Sequence, residues 1–351
     1  MFSKNLSEIK DTNINLLPAT DSASGADKRF VYTLIDNGKI PLTTNRTNPY
    51  DYIILLSNQT KQIGYAQSFT SSLIKRSVTG WNMELQYTYN RSTTVNEGTS
   101  SVNLSQWRFM ESVNGRNNLP LSVSDFSGGH KILAWVSKQY PFNNQKMNFH
   151  ISIIYTGQSG SPFSYVYGNM SMVRDDGPYG NYDLLYIPSA NELSSMVFLP
   201  NTINGKIYTP DQQKDALEKY LQADPYLKTH RGKYAERNGS RTPFTHRIDI
   251  KMKQDIKLRI GKQRYTIQLS FDILNAGNLI NPNWGLQYTV PFDHFALIDF
   301  AGYQATGNLI PQYRFNPEFL YKKSPWEINT TGLPAYSASW SSEVGLRITF
   351  N

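Results

Sequence analysis

Cysteine is missing altogether from the 351 residues. That excludes disulfides and thiolate metal sites, and it is compatible with an oxidising compartment. Long apolar runs are missing too. None approaches the roughly 18 residues a spanning helix needs. With a mean hydropathy of −0.48, a helical membrane protein is excluded. Met1-Phe2-Ser3-Lys4-Asn5-Leu6 lacks the apolar stretch of a secretion signal, so for an exported protein the signal is expected upstream. Histidine is sparse: His130, His150, His230, His246 and His294 are scattered without metal-ligand spacing. No glycine-rich phosphate loop and no nucleophile elbow occurs. The expectation is a non-enzyme, with no catalytic, cofactor-binding or metal residues to assign.

Charge is present in excess, with a formal net charge of +8 and a pI of about 9.3. Twelve Lys and Arg fall between Lys228 and Arg264. Lys251, Lys253, Lys257 and Arg259 alternate there with Ile and Met, so they line one face of a strand. With no basic helix and no stacking platform beside them, nucleic acid is not an expected partner. Aromatics make up 13%, including 23 Tyr, which fits girdles at two membrane interfaces.

The dominant pattern is alternation. In Trp81-Asn82-Met83-Glu84-Leu85-Gln86-Tyr87-Thr88-Tyr89-Asn90 every odd position is large and apolar and every even one polar. Side chains of a strand point to opposite faces with period two, so one face is greasy and the other wet. About ten residues is long for a soluble strand and suits a tilted crossing of a bilayer. Residues 147–156, 248–260, 265–273 and 340–350 repeat the pattern, with Gln254 as the one break on the apolar side of 248–260. A soluble β-sandwich alternates as well. Strand length and the charged second face favour an outer-membrane barrel.

About eleven strands are expected, at 28–35, 50–57, 63–76, 79–91, 130–140, 146–167 (interrupted near 157–162), 245–260, 263–275, 284–298, 309–315 and 337–350. Residues 1–27 read as irregular, and 28–351 as barrel. Turns at 77–78, 143–145 and 261–262 are short, whereas 92–129, 169–244 and 316–336 are long. Barrels sort their connections this way, with short turns periplasmic and long loops extracellular. One helix is expected in the longest loop, capped by Thr209 with Pro210 in its first position and an apolar stripe of Ala216, Leu217, Tyr220 and Leu221. Asp175-Asp176-Gly177 with Asn181 and Asp183 offers oxygens to Ca²⁺, but the spacing is not that of an EF-hand, and a solvated turn is the preferred reading.

Several motifs together resemble the barrel of Oar-like TonB-dependent receptors of Bacteroidetes. They are Ser159-Gly160-Ser161-Pro162-Phe163-Ser164-Tyr165 with Asp183-Leu184-Leu185-Tyr186-Ile187-Pro188; Arg231-Gly232-Lys233-Tyr234-Ala235-Glu236-Arg237-Asn238-Gly239; Phe271-Asp272-Ile273-Leu274-Asn275-Ala276-Gly277-Asn278-Leu279 with Asn283-Trp284-Gly285; Glu97-Gly98-Thr99-Ser100-Ser101; and Gly345-Leu346-Arg347-Ile348-Thr349-Phe350. The likeness runs from about Tyr50 to Asn351. It departs at Met172-Val173-Arg174, where the family's acidic loop is degraded, and at the final Asn351, where an aromatic is usual.

The resemblance implies an all-β fold: an antiparallel transmembrane β-barrel, the C-terminal half of a 22-stranded one, with long extracellular loops. It implies an outer-membrane receptor that takes up a large nutrient, with its plug and signal peptide outside this chain. Implied partners are the TonB complex acting through that plug, the barrel-assembly machinery, the lipid bilayer and a surface lipoprotein. No cofactor is implied. Tyr167, Tyr179, Tyr182 and Tyr234 are candidate substrate contacts in the 169–244 loop. Val344, Leu346, Ile348 and Phe350 form the candidate barrel-assembly signal. Tyr87, Leu269 and Leu346 are expected to face lipid, and Glu84, Lys253 and Asp272 the lumen. A secreted or surface glycan-binding β protein and a simple porin stay open as alternatives. The substrate is not specified by any residue pattern.

Overall fold

The computed structural model describes residues 1–5, 7–33, 52–59, 61–144, 146–176, 181–305, 308–322, 324–329 and 338–350. Alternating sequence builds one large sheet, the wall. Its strands are β1 (Phe2–Lys4), β2 (Tyr65–Arg76), β3 (Trp81–Thr94), β4 (Gly129–Phe142), β5 (Met147–Gln158), β6 (Thr245–Ile260), β7 (Gln263–Leu274) and β8 (Ser341–Phe350). They lie side by side in chain order, each antiparallel to the next. From β2 to β7 they run 12 to 16 residues, and β8 runs 10, enough to cross a bilayer at a tilt.

The connections β2–β3, β4–β5 and β6–β7 are tight and share one end of the sheet. Asn143 and Asn144 adopt positive φ, the pattern of hairpin turns that match strand twist. Gly80 is at φ +85°, and a β-carbon there would sit 2.9 Å from the Gln139 carbonyl oxygen, so this corner requires glycine. The connections β3–β4, β5–β6 and β7–β8 are long and all leave from the opposite end. Among the described residues the wall is open. β8 forms one edge, and β2 forms the other, with β1 pairing Tyr65–Gln67 and Met1 bonding Ser68.

The long connections fold together into a cap. Its sheet runs in the order Val197–Phe198, Pro311–Phe315, His294–Tyr303, Pro162–Asn169, Ser240–Arg241. The central Pro162–Asn169 is buried on both faces from Pro162 to Gly168, as a strand packed on two sides must be. Around it Phe163, Tyr165, Tyr167, Leu217, Leu221, Ile298, Phe300, Tyr313 and Phe315 make the main core. Helix α1 (Pro210–Ala223) buries Ala216, Leu217, Tyr220 and Leu221 against that core. Thr209 and Gln212 close a reciprocal capping box at its start.

Four expectations need correction. Residues 284–298 and 309–315 do not extend the wall. His294–Tyr303 and Pro311–Phe315 belong to the cap sheet, where they pair with each other, with Pro162–Asn169 and with Val197–Phe198 and send Phe295, Ile298, Phe300, Tyr313 and Phe315 into its core. Of residues 50–57 the described 52–57 also stay out of the wall, with Ile54–Gln59 pairing with Glu8–Asn13 in a ladder of its own, and residues 50–51 lie outside the described ones. Of 28–35 only Phe30–Val31 is strand, pairing with Asp21–Ser22, and residues 34–35 lie outside the described ones. Residues 1–27 are not irregular, since Phe2–Lys4, Glu8–Asn13 and Asp21–Ser22 all pair. The interruption near 157–162 is present: β5 ends at Gln158 and a cap strand begins at Pro162.

Candidate functional site

Register decides what each wall face carries, because directly paired residues share a face. One face carries the rows Leu73–Leu85–Ala134–Tyr155–Ile248, Met83–Val136–Ile153–Ile250–Ile273 and Phe142–Met147–Ile256–Ile267–Ile348. Another row places Tyr140, Phe149, Gln254, Leu269 and Leu346 side by side. Little covers them: Leu73 is 72% exposed, Val344 77% and Phe350 73%. A continuous apolar face of this size is unstable in water and needs lipid or protein against it.

Aromatic residues border that face at both ends. At the turn end Trp81 and Tyr140 flank Lys138, whose Nζ lies 5.1 Å and 5.4 Å from their ring centres. At the loop end the hydroxyls of Tyr87 and Tyr155 meet Nδ1 of His130 and His246 at 2.7 Å and 2.8 Å. Phe149 and Tyr155 are six residues apart on one strand, roughly 20 Å. At the tilt of barrel strands that is about 15 Å of height, which fits inside the ~25 Å apolar band of outer-membrane barrels.

The opposite face is mainly polar. Lys251 pairs with Asp272 at 3.2 Å, and His150 with Asp255 at 3.2 Å. Gln268 donates to Asp255 at 2.8 Å, and the Trp135 indole donates to Glu84 at 3.1 Å. Leu133, Trp135 and Ile154 also sit on this face, so it is not uniformly wet. Glu84, Lys253 and Asp272 share it, while Tyr87, Leu269 and Leu346 lie on the apolar one.

Where the polar face meets the cap there is a pocket of about 310 Å³. Its floor is one register row, Thr88–Lys131–Gln158. Its rim brings Phe126, Ser161 and Arg241 from the cap. Wall and cap touch closely beside it. Gly129 is at φ +67°, and a β-carbon there would meet Ser159 Oγ at 2.7 Å. Arg241 ties the two parts together by donating to the carbonyls of Gly160 at 2.9 Å and Ser127 at 2.6 Å.

Beneath the cap surface lies a buried ionic network. Arg29 is sealed from solvent, pairs with Asp27 at 2.9 Å and donates to the Leu184 carbonyl at 2.7 Å. Burial works against its charge, but Asp27, together with Tyr167 and Asp183, more than offsets this and holds the guanidinium protonated. Tyr167 and Tyr234 donate their hydroxyls to the same Asp27. Asp183 accepts from Ser171 Oγ and from the amides of Met172 and Val173. Burial pushes its carboxyl up to about 6. Asp175 is paired with Arg116, and Asp176 with Arg108. The acidic residues of 175–183 are therefore neither a solvated turn nor a converging cation shell. They are drawn apart onto guanidiniums and backbone amides.

The candidate loop residues are distributed by this packing. Tyr167 is completely buried, 0% exposed, and stacks on Tyr313 at 5.7 Å; it is a core residue, not a surface one. Tyr182 is half-buried against Phe109 and His294. Tyr234 is half-buried and holds Asp27. Tyr179 lies outside the described residues. Val344, Leu346, Ile348 and Phe350 line up on the exposed apolar face of the edge strand β8. Sequence reading missed the pocket entirely. Its residues come from four distant segments, and although Ser159–Pro162 belongs to a family-like motif, no local pattern joins it to Thr88, Lys131 or Arg241.

The family model for an outer membrane beta barrel domain matches residues 3–298. No curated protein and no solved structure matches the chain.

Proposed function

The chain belongs to the outer membrane beta barrel domain family, and on that premise we propose that it forms the wall and extracellular cap of an Oar-like TonB-dependent receptor. Its location is the outer membrane. In this reading the seven long strands belong to the C-terminal half of a 22-stranded barrel. A plug fills the lumen against the polar face, and the TonB complex pulls on that plug. The barrel-assembly machinery inserts the wall through β8, and a surface lipoprotein meets the cap. The chain transports a large nutrient and catalyses nothing.

One observation carries the reading: an open antiparallel meander with a continuous apolar face, crowned by a folded cap at its long-loop end. A soluble glycan-binding protein has no use for that face. A porin needs an unobstructed lumen, so conductance separates the two membrane readings. The purified full-length protein in a planar bilayer is expected to be nearly non-conducting, and to conduct steadily once the plug is deleted. Steady conductance of the intact protein would instead identify a porin.

A further inference from the structure

The pocket between wall and cap has an unbalanced charge. Arg241 is half-buried, and its described hydrogen bonds all go to neutral oxygens, those of Gly160 and Ser127. Lys131, on the pocket floor, has no partner for its ammonium among the described residues. Asp125 also borders the pocket and accepts from Asn238 Nδ2 at 2.6 Å, a neutral donor that leaves it as the one carboxylate in the lining. Two cations against one carboxylate leave the recess net positive, with Arg241 half-buried and Lys131 open to solvent, and such a site attracts an anion.

Three other features narrow the ligand. Phe126 is 70% exposed and gives an open aromatic ring at the rim. Thr88 and Gln158 offer a hydroxyl and a primary amide in register with Lys131. The volume of about 310 Å³ is at the small end for ligand sites, room for one or two pyranose rings. A ring that stacks on one side and hydrogen-bonds on the other is the recognition chemistry of a sugar.

We propose that this pocket binds the acidic terminal sugar of a saccharide, with Lys131 and Arg241 facing its carboxylate, Thr88 and Gln158 its hydroxyls, and Phe126 its apolar face. This rests on the reading of the loop side as the capture face, and it adds a substrate class to it. Losing a charge-assisted contact costs about tenfold in affinity.

The test is calorimetric titration of the detergent-purified full-length protein with digalacturonate and, in parallel, neutral galactobiose. Digalacturonate is expected to bind more tightly. Lys131→Gln should weaken it about tenfold, and Lys131→Glu further, while galactobiose is little affected. Phe126→Ala should weaken both. Heat-modifiable migration of each variant reports that its barrel has assembled. Equal affinity for the two sugars, or indifference to Lys131→Glu in an assembled barrel, overturns the acidic site. Absence of binding by either sugar overturns the saccharide assignment. Neither result touches the receptor reading, which stands or falls on the conductance of the plugged and plug-deleted protein.

Discussion

At the scale of single residues the two faces of one strand make the sharpest contrast. Ile153 lies midway along the apolar face, between Phe149 and Tyr155. Arginine there places a charge in hydrocarbon, at a cost of about 2–4 kcal/mol. Gln268 lies on the polar face beside Asp255, where arginine gains a partner. Ile153→Arg is expected to cut assembled barrel severely and Gln268→Arg to leave it near wild type, read by heat-modifiable migration of membrane fractions. Equal loss at both positions would remove the lipid-and-lumen assignment.

Glu111 allows a second test at this scale, in the cap and away from lipid. Burial pushes its carboxyl up to about 7 from an ordinary 4.5, with Asp125 and Asp293 adding to the rise and Arg237 opposing it. The folded cap thus holds this proton more tightly than the unfolded chain does. Stability supplied by Glu111 falls as pH rises from about 4.5 through about 7. His294, 3.8 Å away, shifts in the other sense: burial lowers its pKa, so acid works against it. Comparing Glu111→Gln with wild type isolates the first effect. The variant's advantage in protease resistance of the cap should grow between about pH 5 and pH 8. An advantage that does not change with pH would refute the buried-acid account.

Elements were legible from sequence where one face is wet. β3, β5, β6 and β7 each oppose apolar to polar residues, and the expected spans of β3, β6 and β7 agree with them to within a few residues, whereas the expected 146–167 divides into β5 and the cap strand Pro162–Asn169. Helix α1 was legible too, because Thr209 and Pro210 form a local start signal and Ala216, Leu217, Tyr220 and Leu221 an apolar stripe. Thr209→Ala should cost about 1 kcal/mol and speed amide exchange in the first turn of Pro210–Ala223, leaving the wall unchanged. Illegible were elements whose partners are remote. Pro311–Phe315 alternates in burial like a wall strand, yet it pairs with His294–Tyr303 and Val197–Phe198 inside the cap. Alternation reports that a strand has two different faces; it does not name the sheet. The ion pairs of Asp175, Asp176 and Asp183 were hidden for the same reason, since their arginines and amides come from segments brought near only by folding.

At the scale of the whole molecule the decisive fact is that the wall has edges. β8 pairs with β7 along Ser341–Phe350 and presents its other side to nothing among the described residues. From Phe69 to Arg76 the outer side of β2 is likewise open among the described residues. In hydrocarbon each unmet backbone group costs several kcal/mol, so an open sheet has to close before it is stable there. Val344, Leu346, Ile348 and Phe350 give β8 the lipid-facing half of its pattern, and Leu269 and Ile267 of β7 pack beside them in register. Deleting Leu346 to Asn351 from the full-length protein removes that half of the seam and uncovers the far edge of β7. The expected outcome is loss of outer-membrane accumulation, with the shortened chain degraded or left in the periplasm. Substituting Glu343 and Arg347 on the polar side by glutamine, which keeps the apolar face whole, should leave accumulation intact. If the deletion variant still yields wild-type amounts of heat-modifiable, membrane-inserted protein, β8 is not part of the closing seam.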